Sequence, residues 1–497
     1  MTVEHGARRF AIVASIIAAS ALFIFYSSVV AVAYPQITGN LGASGDEGTW
    51  IIDAFLLSAV IAIPLAPWLQ ARLGRRRYAT LATAGFASTT LFCGLATSPT
   101  MLIALRFVQG AFGGGLAPLA QAILRDTLPA KDLHRGQALF AVSVTFGGAL
   151  APYLGGLIAD DLSWPWIFYA GVPVATAASV ILARLLIDPG PPEPRPLDIV
   201  GLVLLVVALS SLLYLLVEGE RWDWLDDGHN LVAAVLAIGG VVAFLLWSLK
   251  ARWPIVDLRV MRRGNTAVAC VLAAVFGFGL YGLFVLEPLS TQSVIGLTAT
   301  LSGVLVTVQN LVQTALLIPI TSLLAAKRVG PRLVLAVGFL AFAFANMTIA
   351  GAMTTTADFG TLLVPMVLGG IGPALIFAPL PAIAVEGLRG PHDVSTAAAL
   401  FNLSRILGGS VGVALVQALV DRRYAFHEDV LAGAVTTRAP AVVAFLGAGH
   451  QSLERLSGII VAQSNALADA DGFRAIALVA ACSVPFVLLL RTATYKN

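Results

Sequence analysis

The chain has 497 residues, of which 58% are hydrophobic and only 11% charged, with a mean hydropathy of +0.89. A soluble domain carries about a quarter charged residues, so a globule covered by water is excluded and the solvent is lipid. The net charge of +3 is scattered over short basic clusters between apolar runs, which gives no basic face for nucleic acid.

A membrane-crossing helix needs about 20 mainly apolar residues, and lipid leaves the backbone no partner outside the helix itself. Fourteen stretches qualify: 10–33, 51–70, 78–97, 101–124, 137–159, 165–187, 199–217, 230–249, 266–288, 299–325, 333–352, 360–385, 395–420 and 473–491. The first follows Arg8 and Arg9 and ends Ala31-Val32-Ala33 in the manner of a secretory signal. It exceeds the roughly 7–15 apolar residues of such a signal, so an uncleaved span is predicted. With the N-terminus cytoplasmic, 22 of the 30 Lys and Arg fall in cytoplasmic segments, six fall outside, and Arg106 and Arg405 fall within spans. That asymmetry predicts both termini on the cytoplasmic side. The Pro-rich stretch 189–196 breaks the chain after the sixth span. Residues 421–472 form the one long connection, external and mixing apolar residues with Glu428, Arg438, Glu454 and Arg455. It is predicted to be partly helical and to lie at or above the outer surface. Cys93, Cys270 and Cys482 each sit alone in an apolar run and the six His lie far apart, so neither a disulfide framework nor a metal site is implied.

An internal repeat organises these spans. Ala138-Leu139-Phe140, Ser143 and Gly147-Gly148 recur as Ala399-Leu400-Phe401, Ser404 and Gly408-Gly409, and Ala117-Pro118-Leu119 recurs as Ala378-Pro379-Leu380 at the same offset. Arg72-Leu73-Gly74 has a looser echo in Arg328-Val329-Gly330. Matches in one order argue for a duplicated unit. The offset spans eight helices, so the plan reads as six, an inserted pair, and six: residues 1–188, 189–263 and 264–497.

Three motifs carry chemistry. Between the second and third spans stands Leu69-Gln70-Ala71-Arg72-Leu73-Gly74-Arg75-Arg76-Arg77. Gly74 permits a tight turn, and Arg72, Arg75 and Arg76 either mark the cytoplasmic side or act in gating. The fourth span carries Arg106-Phe-Val-Gln109-Gly110. A charge in mid-span costs several kcal/mol unless paired or hydrated, so Arg106 is a functional candidate, with a structural ion pair as the plainer reading. The fifth span carries Gly147-Gly148, Pro152 and Gly155-Gly156. Positions 148, 152 and 156 share one face; small residues there let helices approach, and Pro152 kinks the helix.

These motifs resemble those of the major facilitator superfamily. The turn is similar to the signature loop G-x-L-a-D-r-x-G-R-R, with Pro67 and Ala71 at its first Gly and its Asp; the resemblance implies that the arginines pair with carboxylates and hold an inward gate. Arg106, Gln109 and Gly110 match R-x-x-Q-G. The fifth span is similar to the antiporter signature G-P-x-x-G-G, with Ala151 before Pro152, which marks exporters. Tyr34-Pro35-Gln36 with Gly48-Thr49-Trp50, Trp164-Pro165-Trp166, and Pro254-Ile255-Val256-Asp257-Leu258 resemble the 14-helix drug:proton antiporters of the EmrB type over essentially the whole chain. The resemblance implies an all-α membrane protein with the major facilitator fold, two pseudo-symmetric six-helix bundles, substrates between the halves, and proton-driven export of hydrophobic or amphiphilic small molecules from a bacterial inner membrane. It implies as partners a periplasmic adaptor, docked on 421–472, and an outer-membrane channel.

One departure concerns the proton. The family's first-span motif L-D-x-T-I-V-N-V-A-x-P, aligned on Ala33 and Pro35, places Tyr26 at its Asp and Ala31 at its Asn. Two carboxylates remain within spans, Asp53 and Glu287; Asp53 is favoured because the second span lies nearer Arg106, and either one at the interface is simply hydrated. Polar candidates for the substrate cavity are Tyr26, Gln109, Gln121, Gln309, Asn310, Gln313, Asn402 and Arg405. No G-x-x-x-x-G-K-[ST] loop is present and no catalytic cluster lies at membrane depth, so neither an ATP-driven pump nor an enzyme is expected, and no cofactor is implied. An importer, an exporter of one metabolite, and a transporter without proton coupling remain as alternatives.

Overall fold

The computed structural model describes residues 6–188, 196–219, 224–262, 264–326, 328–388, 391–435, 442 and 452–490. The first six long helices are α1 (Gly6–Val32), α2 (Gly45–Leu73), α3 (Arg75–Gly94), α4 (Pro99–Gly113, resuming after a two-residue break as Leu116–Thr127), α5 (Ala130–Asp161) and α6 (Pro165–Leu185). The pair α7 (Ile199–Glu218) and α8 (Gly228–Lys250) follows. The last six are α9 (Thr266–Ser293), α10 (Ala299–Ala325), α11 (Pro331–Ala352), α12 (Phe359–Gly369, Ile371–Phe377 and Leu380–Val385), α13 (Pro391–Ala434) and α14 (Ser452–Leu488). All fourteen expected spans are therefore helical. Among the described residues, twelve helices are long and apolar enough to cross a membrane. The other two spans are α3, opened by three arginines and rich in Thr, and α5, rich in Gly and carrying charge at both ends.

Side chains mark where the helices begin. Ser44 and Glu47 form a reciprocal capping box at α2, and Ser98, Thr298 and Asp358 accept backbone N–H bonds at α4, α10 and α12. Asp227 accepts from the backbone of His229 and Asn230 at α8. The Asn230 bond, followed by the His229 bonds and charge, holds this carboxyl below its ordinary range. Gly74 closes the α2–α3 turn at φ +83°, a conformation that L side chains rarely adopt.

Helix pairing repeats between the ends of the chain. In the first six, α1 packs on α5 and α6, α2 on α4, and α3 on α4 and α6. In the last six, α9 packs on α13 and α14, α10 on α12, and α11 on α12 and α14. The sequence repeat lands on equivalent contacts. Gly147 and Gly148 lie against Ala21 and Ile24 of α1, while Gly408 and Gly409 lie against Ala274 and Tyr281 of α9. One apolar core is gathered chiefly by α1–α6 and another by α9–α14. The two sets of six meet along α5–α10, α2–α13 and α1–α9, and α7 packs against both α2 and α13.

The described part of the long connection differs from a loop. Residues 421–434 continue α13 and 452–472 open α14. Hydropathy marks only the stretch that prefers lipid, whereas the helices run on into polar sequence because charged side chains hold them together. Asp471 Oδ2 accepts from Arg423 Nε at 2.5 Å and lies 2.9 Å from His427 Nε2, and Asp471 Oδ1 accepts from Arg474 at 2.8 Å. Arg438 falls outside the described residues.

Candidate functional site

Arg106 is fully buried at the centre of the first six helices. Its Nε donates to the Ile51 carbonyl at 3.1 Å, one terminal nitrogen to Gln109 Oε1 at 2.7 Å and the other to the Tyr26 carbonyl at 3.2 Å. The guanidinium also stands 4.0 Å from the Phe55 ring centroid. Gln109 passes the network on by donating to Thr90 Oγ1 at 2.7 Å. Its partners are thus two carbonyls and an amide, all from α1, α2 and α4. Tyr26 is equally buried; its hydroxyl donates to the Phe168 carbonyl at 2.8 Å and its ring stacks on Phe168. It ties α1 to α6, with Gly171 leaving room for the phenol. Gln121 lies half-buried on the second piece of α4, well along the helix from this network.

Asp53 is fully buried, but it is not paired with Arg106. Among the described residues neither of its carboxylate oxygens has a hydrogen-bond partner. It faces Ser410 of α13, whose hydroxyl is likewise unpartnered. Beside them lies a small apolar gap lined by Leu57, Val60, Leu213, Leu407, Ser410 and Val411. Asp53 therefore stands on the seam between the two sets of six, where α2 meets α13.

On the other side, Glu287 of α9 is buried with Oε1 unpartnered and Gln309 of α10 beside it. Gln309, Asn310 and Gln313 form a buried polar stripe on α10, and α12 approaches it so closely that a Cβ on Gly370 would fall on the Gln309 carbonyl. Arg405 is half-buried; it donates to the Tyr281 hydroxyl at 3.2 Å and lies over the Tyr281 and Phe377 rings. Asn402 is exposed and donates to Ala398 of its own helix. The candidates thus fall into separate groups rather than one.

The seam between α5 and α10 is built differently. Asp160 Oδ2 accepts from the Thr300 backbone at 2.7 Å and its hydroxyl at 2.6 Å, and Thr307 Oγ1 accepts from Tyr153 N at 3.1 Å. A Cβ on Gly156 would fall on the Ala299 carbonyl, and one on Gly303 on the Pro152 carbonyl. Gly155 faces Val29 of α1, so Gly148 and Gly155 serve one neighbour and Gly156 the other. Pro152 lies inside the continuous α5. Nearby, Gln292 of α9 donates to the Val32 carbonyl at 2.9 Å. All these contacts lie at the end of the bundle opposite the α2–α3 turn.

At the turn itself the basic residues engage their own half. Arg75 pairs with Asp126 of α4. Arg76 donates from Nε to the Ala183 carbonyl at 2.7 Å and from its backbone to Asp188 at 2.8 Å. Arg72 lies over Trp68.

Sequence reading missed Asp160, Ser290, Ser410 and Asp469. Asp469 was assigned to the external connection, yet it is buried in α14 and faces Ser290 of α9 and Asp421 of α13. Its one signal was a carboxylate amid helically spaced Ala and Phe in Ala466–Phe473.

Comparison with known proteins locates this arrangement. A family model described as Major Facilitator Superfamily matches residues 16–286. The chain is 33% identical over 417 residues to the multidrug export protein EmrB of Escherichia coli strain K12, covering 83% of this chain and 80% of that one. It is 32% identical over 412 residues to the fatty acid resistance protein FarB of Neisseria gonorrhoeae, covering 82% and 80%. Among solved structures, a D-xylose–proton symporter superimposes with a TM-score of 0.63 at 13% identity over 98% of this chain and 99% of that one, a likeness of fold.

Proposed function

The chain belongs to the Major Facilitator Superfamily as an EmrB-type multidrug export protein, and on that premise we propose that Asp53 and Glu287 exchange protons while hydrophobic or amphiphilic small molecules leave the cell. The protein is a multi-pass membrane transporter with the major facilitator fold. The observation that carries the coupling role is a fully buried Asp53 whose oxygens have no hydrogen-bond partner among the described residues, standing on the α2–α13 seam and not in the interior of either half. A buried carboxylate without a counter-charge is expensive when ionised. Protonation favours the closed seam, and opening to water favours release of the proton. Arg106 fixes the geometry of the first half by fastening α1 and α2 to α4, and does not carry the proton.

The bundles 1–188 and 264–497 rock about the two seams, with 189–263 supplying α7 and α8 as a lateral support. The polar stripe Gln309, Asn310 and Gln313, with Arg405 and Asn402, lines the substrate path in the second half. The Arg72–Arg77 end faces the cytoplasm of a bacterial inner membrane, both termini included, and transport involves no covalent chemistry. The α13–α14 extension docks a periplasmic adaptor that leads to an outer-membrane channel. Reporter fusions at Gly228 and Ala448 are expected to report an external location. Deleting 436–451 is expected to abolish cellular export and to spare proton-coupled transport in vesicles.

The deciding experiment measures drug-induced proton movement in proteoliposomes. Asp53→Asn and Glu287→Gln are expected to lose it while binding of the drug persists. If both variants couple like the parent, the assignment falls. A drug-susceptibility panel on expressing cells separates broad export from export of one metabolite.

A further inference from the structure

The outer part of the second half holds buried polar groups that the coupling reading leaves unused. Asp469 of α14 is 4% exposed and Ser290 of α9 is fully buried with no partner for its hydroxyl. They face each other, and Asp421 of α13 lies near enough for its charge to act on Asp469. The three helices meet tightly here: a Cβ on Gly472 would press on Val420 of α13 and Leu286 of α9. Ser290 lies one turn from Glu287 on α9, neighbours on one helical surface. Thr291 continues the polar patch, sharing a 2.7 Å hydrogen bond with Ser302 of α10. At the other end Asp421 is exposed and accepts from Gln417 at 3.0 Å.

Charge around Asp469 is arranged with a similar bias. The nearby cations Arg423, Arg474 and His427 all engage Asp471. Among the described residues no cation pairs with Asp469; the titratable group facing it from α13 is Asp421, from α9 it meets the Ser290 hydroxyl, and the described α11 residues packed on α14 carry no charge outside Arg332 at the far end of that helix.

We propose that Asp421, Asp469 and Ser290 form a proton route from the outer aqueous face to Glu287. The proposal rests on the reading of Glu287 as a proton-exchanging group. A proton on the Asp421 carboxyl passes to the Asp469 carboxylate. Asp469 then hands it to Ser290 Oγ as that hydroxyl gives its own proton to Glu287. Only O–H bonds form and break, and the proton lost by Asp421 is replaced from water.

The test reads Glu287 directly. Dicyclohexylcarbodiimide modifies protonated buried carboxyl groups, and mass spectrometry reports the fraction of Glu287 modified in proteoliposomes of the full chain. In the parent, the rate of modification is expected to rise as external pH is lowered from about 8 to about 6 with the internal pH fixed. Asp469→Asn and Ser290→Ala are expected to slow that response by about tenfold or more, and Asp469→Glu to restore it, as for a group that transfers protons. Asp421→Asn, at an exposed position that leaves packing intact, is expected to slow the response several-fold. A parent-like response in both Asp469→Asn and Asp421→Asn overturns the route, as does a parent in which Glu287 ignores external pH. Drug-induced proton movement in the same vesicles separates the two ideas. If it is absent from the parent while modification follows the route, the coupling reading fails and the route stands. If it persists unchanged in Asp469→Asn, the route fails and the coupling reading stands.

Discussion

The two seams between the six-helix bundles occupy equivalent places in a duplicated fold, yet they are held by opposite means. Along α5–α10, glycines bring backbone onto backbone and Asp160 and Tyr153 reach across with hydrogen bonds. Along α2–α13, leucines and valines meet around a gap, and the polar groups present, Asp53 and Ser410, are unpartnered. The α5–α10 seam is thus a specific latch, and the α2–α13 seam an apolar contact around two polar groups without partners among the described residues. A transporter needs both, because a seam that closes precisely in one state must release at low cost in the other.

The sharpest way to break this contrast is to fill the latch. Gly303→Val sets a side chain against the Pro152 carbonyl, and overpacking of about 1–3 kcal/mol corresponds to a roughly fivefold to 150-fold loss in the population of the closed state. Dye export from cells is expected to fall accordingly while membrane levels of the protein hold. Next, Asp53→Leu removes an unpartnered buried carboxylate, and thermal unfolding in detergent is expected to show a gain of about 1–3 kcal/mol. Proton-coupled transport disappears in the same variant, so stability and function move in opposite directions. Asp160→Ala removes two bonds to Thr300 at an exposed position; a loss of about 1 kcal/mol, or roughly fivefold in export rate, is expected. Last, Ser410→Val on the other seam replaces an unpartnered hydroxyl with methyl groups beside the apolar gap and leaves Asp53 unpaired as before, so a change smaller than that of Gly303→Val, within about 1 kcal/mol, is expected. Equal sensitivity of Gly303 and Ser410 to valine would show the seams to be alike.

Much of this was legible in the sequence because lipid imposes simple rules. Apolar length located the fourteen helices, and the Gly147-Gly148 and Gly408-Gly409 repeat anticipated two helix contacts of the same design. The partners of Arg106 were not legible, since a side-chain pattern cannot announce that Ile51 and Tyr26 offer main-chain oxygens. Nor was the pairing of Arg75 with Asp126 within one half, because the family motif suggests a gate and sequence distance does not say which half a carboxylate joins. Asp469 escaped for a different reason. Hydropathy measures preference for lipid, and α14 begins 21 residues before the stretch that it selects, so a residue buried between protein helices was counted with the water-facing ones. The inward turn of Asp53 toward α13 is likewise a property of tertiary pairing, visible only once the two halves are brought together.

The length of α13 has a mechanical consequence. It runs 44 residues with no internal proline, and at 1.5 Å per residue the stretch from Ser410 on the seam to its end at Ala434 measures about 36 Å. Clasped to α14 through Asp471, this stretch acts as a stiff pointer pivoted on the seam. A tilt of about 10° at the pivot sweeps its tip through about 6 Å, so rearrangements too small to follow between packed helices arrive at the tip magnified, where any protein resting on it would feel each of them as a push.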